Sequence, residues 1–325
     1  MGTDTRPAIL VTGVGGNVGQ GVLRILRTLD LPFRLVGTNT SLPCGGTHLC
    51  DALHKTPFAT APEFLEFMRD LCQRERVALI LPCTDYEAYY LADAPGLPPA
   101  VTSPPATQRA FLDKLETWQL CVAAGVPFAR SFLPSAYPGG FPATLVKPRE
   151  GRGSRGIHVD PADPRGFDDS FVVQERIIGP EITVAFYVTR AGRTHGFIAL
   201  ERELGAGATM LCTVTHAWDA VLAPLIATFV AAFGVRGSCN IQAIVRANGE
   251  IVPFEVNGRI SGTASIRHRL GFRDVEYAVR EHLLHQPLPP VAIQDGTAVR
   301  LLMDVIYPGK RPDEVRDAST PHEVF

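Results

Sequence analysis

The sequence predicts an α/β unit built on a parallel sheet, followed by a larger α+β region whose sheets are largely antiparallel. Three observations carry this. Between residues 8 and 82, short apolar runs alternate with helical patterns, which is how a parallel sheet with helices on its faces is encoded. From Phe128 onward, short strand-like runs recur between Gly, Pro and Asn turns, the pattern of antiparallel sheet. Between the two lies a Pro-, Gly- and Ala-rich stretch, 95–105, that reads as a linker.

In chain order, Ala8 to Thr12 is a strand that runs into Gly13-Val14-Gly15-Gly16-Asn17-Val18-Gly19. A helix follows, with Val18, Val22, Ile25, Leu26 and Leu29 on one face. Leu35 to Gly37 is a second strand, Glu63 to Glu75 a helix, and Val77 to Pro82 a buried strand with the polar tip Thr84-Asp85-Tyr86-Glu87. After the linker, one helix is expected from Thr107 to Ala124, stopped by Gly125 and Pro127. Strands are expected at 143–147, 157–159, 171–175, 182–188, 194–200, 237–245 and 250–256, with helices at 219–233 and 274–284. The tail after Tyr307 reads as a polar extension, either partly disordered or packed on a partner.

Bulk properties exclude several classes. The net charge of -2 argues against a nucleic-acid or membrane-surface binder. Local basic clusters at Arg149, Arg152 and Arg155, and at Arg259, Arg267 and Arg269, suit a small anionic ligand. The seven cysteines form no CxxC pair, so neither a disulfide framework nor a zinc knuckle is expected, and a cytoplasmic setting is. No secretory leader is expected from residues 1–7, and no apolar run approaches the roughly 20 residues of a membrane span.

The most informative stretch is NIQAIVRANGEIVPFEVNGR, Asn240 to Arg259. Asn248-Gly249 between two apolar runs predicts a two-residue type I′ hairpin. Ala247 then faces Glu250, Ile244 faces Pro253, Gln242 faces Glu255 and Asn240 faces Asn257. Strand alternation puts Glu255, Asn257, Arg259, Gln242 and Asn240 on one face. Carboxylate and amide oxygens without His or Cys suit a hard cation such as magnesium, and the arginine suits a phosphate. An exposed hairpin with a solvated polar face would give the same pattern. Upstream, LVKPREGRGSRGI sets Lys147 before Gly151, Gly153 and Gly156, a loop able to approach phosphates. The lysine precedes the glycines, so this is not a P-loop. VVQERIIGPEITV then offers Gln174-Glu175, the backbone at Ile177, and Glu181.

In this order the pieces resemble the ATP-grasp superfamily, and most of all its carbamoyl-phosphate-synthase-like and pyrrolysine-ligase-like branch. The resemblance rests on Asp113-Lys114 ahead of a helix ending in Gly-Val-Pro, then VKPREGRGSRGI, QERIIGPEITV and NIQ…FEVNGRISGT, over residues 107–275. It implies a Rossmann-like pre-ATP-grasp domain (1–106) and a two-lobed ATP-grasp domain with ATP between two sheets. The lobes would be 107–175 and 176–305, with an extension at 306–325. It implies that Lys114 and Lys147 hold phosphates, and that Gly151 to Gly156, with Gly153, Ser154 and Arg155, closes over them. Gln174, Glu175 and Ile177 would meet adenine, and Glu181 the ribose. Gln242, Glu255 and Asn257 would hold two magnesium ions, with manganese as a substitute. Arg259, with Lys147, would act on the transferred phosphoryl group. Asp85, Arg202, Ser261, Gly262 and Thr263 would line the substrate pocket.

The implied activity is ligation of a small carboxylate to an amine or thiol through an acyl phosphate. A homodimer is left open. One departure from the family is Gly258, where proline often stands, which is expected to loosen the backbone beside Arg259. Two alternatives stay open. One is a sensor or partner subunit that binds ATP without ligating. The other is NAD(P) binding at TGVGGNVG, weakened by Gly37-Thr38-Asn39 where an acidic residue is wanted. If that turn binds no dinucleotide, either Gly15 at the helix start would receive an anionic group of the substrate, or the turn simply shapes the fold.

Overall fold

A computed structural model describes residues 6–151, 155–205 and 207–325. The N-terminal unit runs β1 (Ala8–Val11), α1 (Asn17–Thr28), β2 (Arg34–Asn39), β3 (Ala52–Lys55), α2 (Phe64–Glu75), β4 (Val77–Leu81) and α3 (Asp85–Leu91). Its four strands are parallel in the order β3-β2-β1-β4. The expected polar tip after β4 is in fact the first turn of α3. Thr84 caps that helix by accepting from the Glu87 N–H at 3.2 Å.

The single helix expected over 107–124 is two, α4 (Pro105–Leu112) and α5 (Lys114–Ala123). Asp113 breaks them apart. Its side chain accepts from the N–H groups of Leu115 and Glu116 at 2.9 and 3.3 Å, so a new helix starts there. Next come β5 (Ser131–Phe132), β6 (Thr144–Pro148), β7 (His158–Val159) and β8 (Phe171–Glu175), an antiparallel sheet in the order β5-β8-β6-β7.

The largest sheet is built from β9 (Glu181–Val188), β10 (Thr194–Gly205), β11 (Ala208–Val214), then, after α6 (Asp219–Phe233), β12 (Gly237–Val245) and β13 (Ile251–Asn257). Two short helices, α7 (Ala264–Arg269) and α8 (Asp274–Val279), precede β14 (Thr297–Val299), β15 (Val305–Ile306) and β16 (Glu323–Val324). The sheet order is β13-β12-β9-β10-β11-β14. The helix expected over 274–284 is α8 closed by a π-type turn at 280–284.

The linker does not separate two cores. Ile9, Val22 and Leu26 of the N-terminal unit share one buried cluster with Tyr187, Leu200, Phe272 and Tyr277. A second core, under α6, packs Phe229, Ile226 and Leu222 on Phe186, Ile241 and Ala243. Nor is the tail loose. β15 pairs with β16, the Ala318 N–H donates to the Cys50 carbonyl at 2.8 Å, and Thr320 is buried. It packs on the chain's own N-terminal unit. Among the described residues, no helix is long and apolar enough to cross a membrane.

Candidate active site

One cavity of about 740 Å³ brings the parts together. Its walls come from the turn after β1, the N-terminus of α3, β6, and the β12–β13 hairpin with the segment that follows.

The hairpin reaches the expected end register by a different route. Gln242 faces Glu255 and Asn240 faces Asn257, but Ala243, not Ile244, faces Pro253. The turn holds one residue more than a type I′ turn. The Arg246 N–H donates to the Glu250 carbonyl at 2.9 Å, and Gly249 takes the left-handed conformation at φ +82°. A bulge near Phe254 then takes the register back by one residue. Gln242, Glu255, Asn257, Arg259 and Asn240 consequently all line the cavity.

Lys147 enters from β6 and is 3% exposed. Its amine donates to the Phe254 carbonyl at 3.4 Å and lies 5.5 Å from the centre of the Phe254 ring. Burial pushes its pKa down to about 8, with Lys114 adding to the fall and Glu255 and Glu181 opposing it. Lys114, at the start of α5, donates to the carbonyls of Arg149 and Gly151. Asp113 beside it forms an ion pair with Arg149 at 2.6 Å. Burial favours its neutral acid, but hydrogen bonds from Arg149, Leu115 and Glu116 win and lower its pKa. Gly151 and Arg155 line the cavity, whereas Gly156 does not. Gly153 and Ser154 lie outside the described residues.

Arg259 donates to Asn257 Oδ1 at 2.6 Å, to Asp85 Oδ2 at 2.8 Å and to the Ile260 carbonyl. Burial alone would lower its pKa, and the Asp85 carboxylate more than offsets this, so it stays cationic. Gly258 is not loose. Its carbonyl accepts from the buried Gln108 side chain at 2.7 Å. A Cβ there would come within 2.9 Å of Gln108 Oε1 and 3.1 Å of Phe111, so close packing selects glycine.

Arg202 pairs with Glu181 through both Nε and Nη2, and Nη2 also donates to Gln242 Oε1 at 2.7 Å. It therefore stands with the expected ribose and metal residues, not apart from them. Ser261, Gly262 and Thr263 do line the cavity. The hydroxyls of Ser261 and Thr263 accept from Arg267 at 2.7 and 2.9 Å, and the Gly262 carbonyl from Arg300 at 2.6 Å. Arg267 and Asp274 are a wholly buried ion pair, and Ser238 also donates to Asp274.

Several expected contacts do not reach the cavity lining. Gln174 is buried, donating to Ser131 Oγ and the Phe254 carbonyl, with its own oxygen unpaired. Glu175 points elsewhere because adjacent strand residues face opposite ways. It pairs with Arg130 at 2.9 Å and Arg246 at 3.2 Å, and these, Arg130 first, hold its pKa low. Ile177 and Glu181 are likewise absent from the lining. Gly15 does not line it either, because its N–H donates to Asn39 Oδ1 at 3.1 Å. The neighbouring Gly13 and Gly16 do. Beside that turn sits the buried Glu87 carboxylate, which accepts from Thr12 and Thr84 at 2.6 and 2.7 Å. That carboxylate stands where the α1 N-terminus was expected to receive an anionic group of the substrate. Asn39, not an acid, ends β2, so the ribose partner of a dinucleotide is missing.

The donor set suits magnesium. Gln242 and Asn257 each turn an amide oxygen toward a guanidinium that stands in for a cation, and Glu255 forms no ion pair among the described residues. Sequence reasoning missed Asn240's fixed orientation, Asp85 as the partner of Arg259, and the Arg267–Asp274 pair. Only the first had a signal, since Asn240 falls on the metal face of the hairpin.

This is the ATP-grasp fold. The chain is similar to N5-carboxyaminoimidazole synthetase from Staphylococcus aureus (TM-score 0.73, 12% identity, 91% of this chain and 82% of that one), also solved with ADP. It is similar to the biotin carboxylase domain dimer of Hydrogenobacter thermophilus 2-oxoglutarate carboxylase, in complex with MgADP and bicarbonate (0.69, 14%, 90% and 74%). A third is an L-amino acid ligase from Bacillus licheniformis (0.66, 15%, 86% and 75%). No known family's sequence profile and no curated protein sequence matches the chain. At these identities the likeness is one of fold.

Proposed function

We propose that this chain is an ATP-dependent carboxylate-amine ligase, or carboxylate-thiol ligase, that works through an acyl phosphate and yields ADP and phosphate. The observation that carries the reading is one cavity lined from two sheets. A buried lysine, Lys147, and Glu255, a carboxylate with no ion pair among the described residues, face one cavity together with Gln242, Asn257 and Arg259. That is a seat for a metal–triphosphate group on a fold shared with synthetases, carboxylases and ligases.

ATP would lie between the sheet containing β6 and the sheet containing β12, with Lys114 and Lys147 on its phosphates and Arg155 beside them. Glu255, Gln242 and Asn257 would hold two magnesium ions, or manganese in their place, offsetting phosphate charge. Arg259, kept charged and aimed by Asp85, would face the transferred phosphoryl group. The substrate carboxylate forms an O–P bond to the γ-phosphorus as the bond to ADP breaks. The amine or thiol then attacks the acyl carbon and phosphate leaves. The division into 1–106, 107–175, 176–305 and 306–325 belongs to the same reading. A homodimer of the kind named for the biotin carboxylase domain is compatible with it.

The test is phosphate release from MgATP with a panel of carboxylates and amines, in wild type and Glu255→Ala. Release that depends on the acid and disappears in the variant supports the ligase. MgATP binding without release points to a sensor. No MgATP binding in wild type would sink the reading.

A further inference from the structure

Asn240 sits in the cavity wall, 1% exposed, on β12 beside the metal face. Its carboxamide oxygen accepts from Thr183 Oγ1 at 2.9 Å and from Ser261 Oγ at 3.0 Å. A carboxamide oxygen has two lone pairs, so both are taken. Gln242 and Asn257 differ, because among the described residues each amide oxygen has one donor, Arg202 or Arg259, and a lone pair left over.

The orientation is locked from behind. Arg267 donates to Ser261 Oγ at 2.7 Å, so the cation turns the hydroxyl hydrogen away from itself, toward Asn240 Oδ1 at 3.0 Å in preference to Thr263 Oγ1, which lies at 3.4 Å and also accepts from Arg267. Arg267 is itself held in place by the buried Asp274 and by Thr263. With its oxygen committed inward, Asn240 has only the NH₂ group to offer the cavity, and that group has no partner among the described residues.

We propose that Asn240 is not a cation ligand but a hydrogen-bond donor to a negatively charged oxygen of the carboxylate being activated, and that Ser261 and Arg267 are the positioning residues that fix its polarity. This rests on the ligase reading above. Asn240→Asp keeps the inward oxygen and replaces the donor with a negative oxygen, so the two possible roles predict opposite results.

The experiment measures thermal stabilisation by MgADP, first against magnesium concentration and then against acetate and bicarbonate at saturating MgADP. For Asn240→Asp we expect the magnesium midpoint to stay within about twofold of wild type. Stabilisation by either anion should need at least about tenfold more of it. Ser261→Ala keeps the amide but unlocks it, and should give a smaller loss of the anion response with the same magnesium midpoint. This second variant also covers a failure of Asn240→Asp to fold. A magnesium midpoint lowered in Asn240→Asp would make the residue a cation ligand and overturn the proposal. So would an unchanged anion response in both variants, or a wild type that responds to MgADP but to neither anion. A wild type that does not respond to MgADP at all defeats the ligase reading itself, and the proposal falls with it.

Discussion

Two glycine-rich turns border the same cavity, and different side chains stand beside them. The turn after β1 is satisfied within the protein. Asn39 takes the Gly15 N–H, and the Glu87 carboxylate, gripped by Thr12 and Thr84, sits beside Gly13. The turn after β6 opens beside Lys114, Lys147 and Arg155. On sequence alone the first is the more familiar nucleotide signature, yet its Gly15 N–H and the carboxylate beside it are already engaged within the protein. Glycines set how near a ligand's backbone partner can come. Which ligand is welcome is decided by side chains, some from the turn's own flanks, as Lys147 and Arg155 are, and some from farther along the chain, as Lys114, Asn39 and Glu87 are.

The sharpest way to break the comparison is Lys147→Met. Acid-dependent phosphate release should fall by at least about 100-fold, the usual scale for removing one group that stabilises developing charge. A loss below tenfold in a stopped-time phosphate assay would place the phosphates somewhere else. Next in size is Arg267→Met, which leaves Asp274 buried without its partner and should cost about 3–5 kcal/mol in denaturant unfolding. An unchanged midpoint would show that the cationic side of the cavity does not depend on that pair.

pH sharpens the contrast further. Lys147 falls from its ordinary 10.5 to about 8 on burial. MgATP affinity in wild type should therefore decline as pH rises through about 8, and Lys147→Arg should abolish that decline. For the ligand-free protein the sign is reversed. Between about 8 and 10.5 the unfolded chain holds the proton that the folded chain has released, so this group makes stability rise with pH. Calorimetry and thermal melts over that window should slope in opposite directions.

Glu87→Gln tests the other turn. It should cost about 1–2 kcal/mol through weakened buried hydrogen bonds and leave MgATP affinity within about twofold. Loss of nucleotide binding there would erase the distinction between the turns. The smallest effect is expected at Gly249→Ala. Nothing lies within 4 Å of the new methyl, so only the left-handed backbone resists it, at about 1 kcal/mol in a thermal melt.

The β12–β13 hairpin shows how far a sequence can be read. The facing pairs at its functional end, Gln242 with Glu255 and Asn240 with Asn257, follow from a two-residue turn, but the real turn has an extra residue and a bulge cancels the slip. The answer survived because the polar face had to meet the cavity whatever the turn was. Local chemistry was legible at α1, where Val18, Val22, Ile25, Leu26 and Leu29 are spaced along one face. It was misread over 107–124, where Asp113 can either sit inside a helix or cap the next, and only its buried place beside Arg149 decides. Gly258 was misread for a like reason, since the group that needs its missing side chain, Gln108, is 150 residues away. Glu175 was assigned to the nucleotide because its two arginine partners, Arg130 and Arg246, come from separate stretches of chain.

The shared core has a consequence for the order in which this protein is made. A ribosome delivers β1 to α3 first, but α1 also packs on α7 and α8, and Phe272 and Tyr277 complete its core only when they appear. The Cys50 carbonyl waits longer still, for Ala318. α1, which covers one face of the parallel sheet, thus spends most of synthesis without those later partners, in a topology of distant contacts that closes slowly. A nascent chain stalled before residue 272 should engage chaperones and be cut readily by protease, and one released whole should resist both.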